Sequence, residues 1–315
     1  MIRTIRPTDL VALVTFEGRA LPNAARARHA LSQEHQRPLP VSAILEQWLP
    51  FEGRRYTWVA VHSFSIHGLI SAQHRAGRSA WEVDWLIVDS LDHAEDVARH
   101  LLDRLSAEGG EAGAQKVFLR LPTDSFLVNV ARQAGFWPYL SETLYRWAPQ
   151  KRPAVPVGAV SPPIASLRRK TKADDYGIFR LYNLAVPESV RRAQGVTFAD
   201  WREARELSPG RKQELVSVQE GKVRTWLGLA QSSQAGMFDL MLDPAEAGAT
   251  EALVQYALRQ LGPRAPVLCL VPEYHRALRR VLEEDEEARP VAEYITMVKV
   301  LTVRVPAQGL VPAQA

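Results

Sequence analysis

At 315 residues, 46% of them hydrophobic and only one a cysteine, the chain can bury a core large enough for two domains and can form no internal disulfide. Its net charge of +4 is mild for this length although the pI is near 9.3, and no run of like charge makes a basic arm, so the charge pattern does not call for nucleic acid. No apolar run approaches membrane-spanning length and the first residues lack a signal-peptide core, which reads as a cytoplasmic chain with no membrane partner.

The chain opens with a strand pattern at Ile2–Arg6, closed by Pro7, and Thr8 and Asp9 are good N-cap types for a helix beginning near Leu10. Arg19–Leu49 is rich in Ala, Arg and Gln and predicts helix in parts, broken at Pro38 and Pro40. Tyr56–Ser63 and His67–His74 read as a hairpin, and the turn Arg75–Arg78 leads into the stretch around which the first half is organised. There Trp81, Val83, Trp85 and Ile87 alternate with Glu82, Asp84 and Leu86, after which Val97, Leu101, Leu102 and Leu105 fall at helical spacing. A strand that runs straight into a helix leaves backbone N–H groups aimed at one spot, a common way to build an anion site. A strand at Lys116–Pro122, a helix at Asp124–Ala134 ending at Gly135-Phe136, and a strand at Tyr139–Trp147 complete the half.

Gln150–Pro163 holds four prolines and no amphipathic period, and reads as an extended linker. Beyond it the first pattern returns. Leu167–Lys172 with Asp174-Asp175 echoes Ile2–Arg6 and Asp9; Gln213–Gln219 and Val223–Ala230 form a hairpin about Glu220-Gly221-Lys222. Met237–Leu242 echoes the strand at Trp81, Glu251–Leu261 its helix, Val267–Pro272 the strand Val117–Pro122, and Glu293–Val300 the strand Tyr139–Trp147. Asp174 lies 165 residues after Asp9, Asp239 155 after Asp84, Leu253 152 after Leu101 and Pro272 150 after Pro122, the slow drift that a duplication with small deletions leaves. The expected organisation is therefore an N-terminal domain over 1–149, a linker over 150–163, a C-terminal domain over 164–305 and a tail over 306–315, with the two domains folding separately.

This order of elements, with the Gly135-Phe136 pair closing the helix, resembles the GNAT acetyltransferase superfamily, here as a tandem protein. The resemblance implies an α/β (α+β) fold of two GNAT-like domains, each a mixed, mostly antiparallel twisted sheet flanked by helices. It also implies acetyl-CoA as co-substrate and a small-molecule or peptide amine as acceptor. Against the family's loop pattern Arg/Gln-x-x-Gly-x-Gly/Ala, the first half offers His93, Asp96 and Ala98, of which only Ala98 conforms, and the second offers Ala245, Gly248 and Thr250. Asp89, Asp92, Glu95 and Asp96 crowd the first loop and would repel a pyrophosphate, so the cofactor is expected in the second half. Its contacts there are expected from Leu240, Met241 and Leu242 on the strand and from Ala247, Gly248, Ala249 and Thr250 in the loop.

Acyl transfer to an amine needs a base. Asp239, Glu82 and Asp84 are the candidates on the two key strands, with salt-bridged strand positions as the plain alternative. The family's tyrosine acid would fall on Ala131 and Glu283; Tyr274 is a possible substitute, with packing as the plain alternative. The segment Leu181–Trp201, with Tyr182, Asn183, Arg191 and Arg192, takes the place of the helices that line the acceptor side. Cys269 lies in an apolar run and reads as a small hydrophobe, and the histidines show no metal-ligand spacing, so no metal is expected. Three readings stay open: an acyl-CoA-dependent N-acyltransferase, a non-catalytic tandem protein that binds a ligand or a partner, and nucleic-acid binding, which rests only on the excess of arginine.

Overall fold

The computed structural model describes residues 1–31, 55–89, 93–149, 162–207, 210–262 and 265–301. In the first half, β1 (Ile2–Thr4), α1 (Leu10–Glu17), β2 (Arg55–His62), β3 (Ser65–His74), β4 (Ala80–Val88), α2 (Ala94–Glu111), β5 (Lys116–Pro122), α3 (Leu127–Gln133) and β6 (Trp137–Trp147) follow in order. The second half runs α4 (Pro162–Ala165), β7 (Arg168–Arg169), α5 (Asp175–Ala185), α6 (Glu188–Gln194), α7 (Phe198–Glu203), β8 (Arg211–Gln219) and β9 (Lys222–Gln231). It ends with β10 (Gly236–Leu242), α8 (Thr250–Gln260), β11 (Val267–Pro272), α9 (Arg276–Glu284) and β12 (Arg289–Val300). None of the described helices is long and apolar enough to cross a membrane.

The duplication is visible at each half's first turn. Arg3 grips Asp9 with two guanidinium bonds of 2.7 and 2.6 Å while Asp9 also accepts from the Arg6 backbone at 2.7 Å. Arg168 grips Asp174 at 2.8 and 2.7 Å, and Asp174 accepts from the Thr171 backbone at 2.7 Å. In each case a carboxylate closes the 3-10 turn that launches the following helix, and its Arg pins that turn to the edge strand. The helices pack by their apolar stripes: Ala98, Leu101, Leu102 and Leu105 of α2, and Leu253, Val254, Ala257 and Leu258 of α8, are all buried. Gly135 ends α3 at φ +84°, a conformation that costs little only without a Cβ.

The twelve strands among the described residues form one sheet in the order β1-β2-β3-β4-β5-β12-β6-β11-β10-β9-β8-β7. The last strand of each half has crossed into the other. β12 pairs with β5 from Tyr294↔Pro122 to Val300↔Lys116, and β6 pairs with β11 from Val267↔Trp147 to Pro272↔Glu142. β6 and β12 then pair with each other at the centre. The cores follow the exchange: Met297 of β12 is buried in the cluster under α2, while Tyr145 and Trp147 of β6 are buried in the cluster under α8 and α9. The expectation of two separately folding domains is thereby corrected, because neither half contains a complete sheet. The physical reason is that an antiparallel terminal strand satisfies its ladder equally well on either half's fifth strand, and the exchange leaves β6 and β12 bonded on both sides. The proposed linker, apart from residues 162 and 163, and the tail lie outside the described residues.

A second correction concerns Arg19–Leu49. Ala20–Ala27 is extended rather than helical, with a short 3-10 turn at Arg28–Ala30, and residues 32–49 lie outside the described residues. The amides of this segment bond to strands far away in sequence instead of to their own neighbours.

Two expected outcomes follow. Cleavage at a protease site engineered within residues 150–161 should leave both fragments co-eluting in native gel filtration, and their separation as two soluble folded monomers would contradict the exchange. The Arg168 side chain, with the bonds from Thr171, holds the Asp174 carboxyl well below the usual carboxylate range. Its folded pKa lies below its unfolded one, so its contribution is fully present above the unfolded value and is lost as pH falls through the folded value. Asp174→Asn should therefore lower the unfolding midpoint at pH 7, with the gap to the unmodified protein closing as the solution is acidified below the usual range; a gap independent of pH would show that the charge is not what acts.

Candidate functional site

A parallel strand pair that starts together and then separates creates a V-shaped gap with one backbone edge free on each wall. β10 and β11 pair only at Gly236↔Val267, Met237↔Leu268 and Phe238↔Cys269 before diverging, and β4 and β5 pair only at Ala80↔Lys116, Trp81↔Val117 and Glu82↔Phe118. The two gaps have different fates.

The first is filled by the chain itself. Ala20 bridges Asp89, Leu21 N–H donates to Val88 O at 2.8 Å, and Ala24 N–H donates to Leu86 O at 3.0 Å. Asn23 is buried, its amide donating to Asp84 O at 2.9 Å and its carbonyl accepting from Leu86 N–H at 2.8 Å. On the other wall Arg26 N–H donates to Arg120 O at 2.9 Å. The segment bonds to both walls of the V and leaves the edge of β4 no room for a ligand. Asp84 has no partner on β3, since Trp85 pairs with Ser71 and Val83 with Ala72, and it marks a bulge where β4 turns outward.

The second gap is open. A cavity of about 410 Å³ lies between Asp239–Leu242 of β10, Leu270 and Pro272 of β11, the turn at Tyr274–Leu278, and α5 and α7. Its size falls within the range of about 300–1,000 Å³ usual for small-molecule sites. Apolar side chains, Ile178, Tyr182, Trp201 and Trp226, form part of its wall. Gly228 lets the Trp226 ring lie flat on the sheet, because a Cβ there would stand 2.8 Å from the ring, and the indole N–H donates to Glu214 at 3.1 Å.

Another part of the wall is charged. Glu206, in the loop after α7, accepts from Arg120 at 2.6 Å, Arg75 at 3.1 Å and Arg28 at 3.3 Å. Arg75 also meets Glu82 at 3.3 Å and lies over the Phe118 ring, 3.7 Å from its centroid. Arg120 meets Glu142 at 2.8 Å, and Thr296 of β12 donates to Glu142 at 2.6 Å. Burial alone would push Glu206 up, but the arginines outweigh it and hold the carboxyl well below its ordinary range. Burial wins at Glu82, whose carboxyl is pushed up despite Arg75. Arg28 also pairs with Asp239, the side chain that faces the cavity from β10.

Of the expected base residues, only Asp239 lines the cavity. Glu82 is buried in the arginine cluster, and Asp84 is buried at 2.8 Å from Arg55, with the filled gap drawing on its carbonyl. Among the expected cofactor contacts, Leu240, Met241, Leu242 and Ala247 line the cavity, whereas Gly248, Ala249 and Thr250 do not. Gly248 has no positive φ and a Cβ there would meet nothing within 4 Å, so neither backbone nor space demands glycine. Pro244–Ala249 forms a closed 3-10 turn whose amides bond within the turn; Asp243 accepts from Ala245 N–H at 3.0 Å, and Glu246 N–H donates to Asp243 O at 2.8 Å. An acyl-CoA would fit here through its thioester and amide-bearing arm, against the free edge of β10, rather than through a diphosphate cradle of bare amides. Tyr274 lines the cavity, and burial pushes its phenol up. His275 caps α9, its Nδ1 accepting from Leu278 N–H at 3.3 Å, and burial pulls its pKa down. Cys269 is buried, with its thiol pushed up to about 12 by burial, which suits packing and not nucleophilic chemistry. Among the described residues no group of three His, Cys, Asp or Glu side chains is placed to hold a metal ion.

Sequence reasoning missed Arg28, Arg75, Arg120, Glu142 and Glu206. The signal that was available is Arg120 itself, an arginine inside the apolar run Val117–Leu121, which in a strand covered on both faces requires buried carboxylates nearby.

Three solved structures are similar to this chain. A GCN5-related N-acetyltransferase from Sphaerobacter thermophilus is 12% identical, with 97% of this chain and 96% of that chain covered and a TM-score of 0.53. A tandem GNAT protein from the clavulanic acid biosynthesis pathway is 13% identical, with 97% and 99% covered and a TM-score of 0.52. A glucosamine N-acetyltransferase region in a fungal multi-domain GH3 beta-N-acetylglucosaminidase is 14% identical, with 95% of this chain and 38% of that chain covered and a TM-score of 0.54. The fold is thus the tandem GNAT fold over nearly the whole chain. No protein-family model and no curated protein matches the sequence.

Asn23→Ala would leave Leu86 N–H and Asp84 O without this partner, a loss of about 1–3 kcal/mol for a buried polar group left unpaired. Denaturant titration should register that loss with no gain of acetyl-CoA binding, since Leu21 and Ala24 still hold the segment in place; an unchanged midpoint would mean that Asn23 does not anchor it.

Proposed function

We propose that this chain, which carries the tandem GNAT fold, is an acyl-CoA-dependent N-acyltransferase with one working site, in the gap between β10 and β11. The observation that carries the reading is the contrast between the gaps: one is filled by Ala20–Ala27, while the other opens into a cavity with Asp239 on its wall. A bound acyl-CoA would supply an activated acyl thioester there. Leu240, Met241 and Leu242 would hold its arm along the strand edge, with Ala247 beside it. Asp239 receives the proton of the acceptor amine, directly or through a water, and before the acceptor binds Arg28 holds that carboxylate. Tyr274 keeps a proton at the cavity wall, because burial raises its phenol above its ordinary value. The acceptor enters from the side of α5 and α7, where the cavity is apolar.

The closed turn at Pro244–Ala249 and the Arg28–Asp239 pair favour a second reading, in which the same cavity binds a CoA-like ligand or a partner without chemistry. Asp239→Asn separates the two. If Asp239 is the base, the variant should bind acetyl-CoA in calorimetry yet lose about 10²–10⁴-fold in transfer rate, the loss easing as pH rises and the amine deprotonates unaided. Full activity in the variant would remove Asp239 from the reaction, and acetyl-CoA binding without transfer to any of a broad amine panel would favour the second reading.

A further inference from the structure

The charges around the cavity are not equally committed. Arg75 is engaged by Glu82 and Glu206, Arg120 by Glu142 and Glu206, and Arg224 holds Asp243 beside the loop. Asp239 is bonded by Arg28 alone among the described residues. Arg28 has a second carboxylate in Glu206, which already carries two other arginines. The Arg28–Asp239 pair is therefore the one that can open with the rest of the cluster intact. Both members face the cavity, and side-chain exposures of 12% and 25% leave them reachable from it.

The surroundings of this pair lean positive. Lys212, also on the cavity wall, shares Glu214 with Arg205, while Lys170, 4.0 Å from Glu214, is held at 2.6 Å by Asp175, so two cations divide one carboxylate. The Lys212 ammonium is pushed down by burial and by the charges of Arg205 and Arg28, with Glu214 only partly offsetting them. An added anion near Arg28 and Lys212 would relieve that excess, whereas an added cation alone would have to compete with Arg28 for Asp239.

Resting on the acyltransferase reading, we propose that the acceptor is a free α-amino acid with an apolar, preferably aromatic, side chain: its carboxylate takes Arg28 and Lys212, its ammonium takes Asp239, and its side chain lies among Ile178, Tyr182, Trp201 and Trp226. The Arg28–Asp239 contact is an ion pair between neighbouring groups, and an α-amino acid carries the complementary pair with the same close spacing. It can replace both contacts at once, leaving no buried charge alone. A simple amine leaves Arg28 with only its share of Glu206, and a simple carboxylate leaves Asp239 with no partner among the described residues. Recognition of the acceptor is also what hands its amine to the base.

The test uses the full chain and three matched probes: L-phenylalanine, phenethylamine, which lacks the carboxylate, and 3-phenylpropanoate, which lacks the amine. In calorimetry L-phenylalanine should bind roughly tenfold or more tightly than either analogue, the loss expected when a charged group is left without its partner. In acetyl transfer L-phenylalanine should be favoured over phenethylamine by a similar factor. Arg28→Gln should reverse the preference, weakening L-phenylalanine and improving phenethylamine, because Asp239 no longer has a competing cation. Circular dichroism and an unfolding midpoint close to the parent's, measured on the same variant, separate this outcome from a general loss of structure. Lys212→Gln, at a half-exposed position, should raise KM for L-phenylalanine by a larger factor than for phenethylamine. Equal use of the amino acid and the amine, or parallel losses for both in Arg28→Gln, would overturn the proposal while leaving an acyltransferase intact. Selective binding of L-phenylalanine with no transfer would overturn the acyltransferase reading and leave the recognition of the amino acid standing.

Discussion

Three arginines from the first half, Arg28, Arg75 and Arg120, converge on Glu206 of the second, and much of the molecule is arranged around meeting that condition. Buried charges are tolerated only when paired, and losing one partner from such a group costs about 3–5 kcal/mol. The cluster therefore ties the halves together alongside the shared sheet. Glu142 of β6 and Thr296 of β12 complete the bonding around Arg120, so the two exchanged strands that join the halves also supply part of the polar lining at their junction. The turn between β3 and β4 docks on the end of α7, with Ala76 N–H donating to Arg205 O at 3.0 Å and Gly77 N–H to Glu203 O at 2.9 Å, and this brings Glu206 within reach of the arginines.

The same arrangement separates the roles of two repeats that began alike. Each keeps the carboxylate-closed turn after its first strand and each keeps the parting of its fourth and fifth strands. In the first repeat the gap is occupied by Ala20–Ala27, and the chain that leaves this segment carries Arg28 to the wall of the second repeat's cavity. The repeat that has surrendered its own gap thus contributes a side chain to its partner's.

The duplication and the elements were legible because they depend on periodicity, which is local. Trp81–Leu105 announces a strand and a helix, and the drifting offset from Asp9 to Asp174 announces two copies. The exchange of β6 and β12 was not legible, since both strands carry the same pattern whichever fifth strand they join. Ala20–Ala27 misled for a related reason: its Ala and Arg residues have high helix propensity, but its backbone is claimed by the free edges of β4 and β5. The site was half legible. Asp239 stood out through its counterpart Asp84, yet nothing in the sequence ties it to Arg28, which lies 211 positions away. Gly248, the residue of the second loop that matched the expected pattern, turned out to stand in open space.

The position of β12 bears on how the molecule is made. A ribosome delivers β5 and β6 early, but the strand that belongs between them is the last to emerge, so through most of synthesis both carry unsatisfied edges. The first half cannot complete its sheet while the second is still being translated, and the arginines gathered around Glu206 have no carboxylate from that half to meet. Completion of the first half's sheet must therefore wait for β12, through pairings of very long sequence separation, which are slow to form and expose strand edges to neighbouring chains. Such a nascent chain would place a heavy demand on the cell's chaperones, while the finished protein, with its ends laced through each other's halves, would be correspondingly slow to come apart.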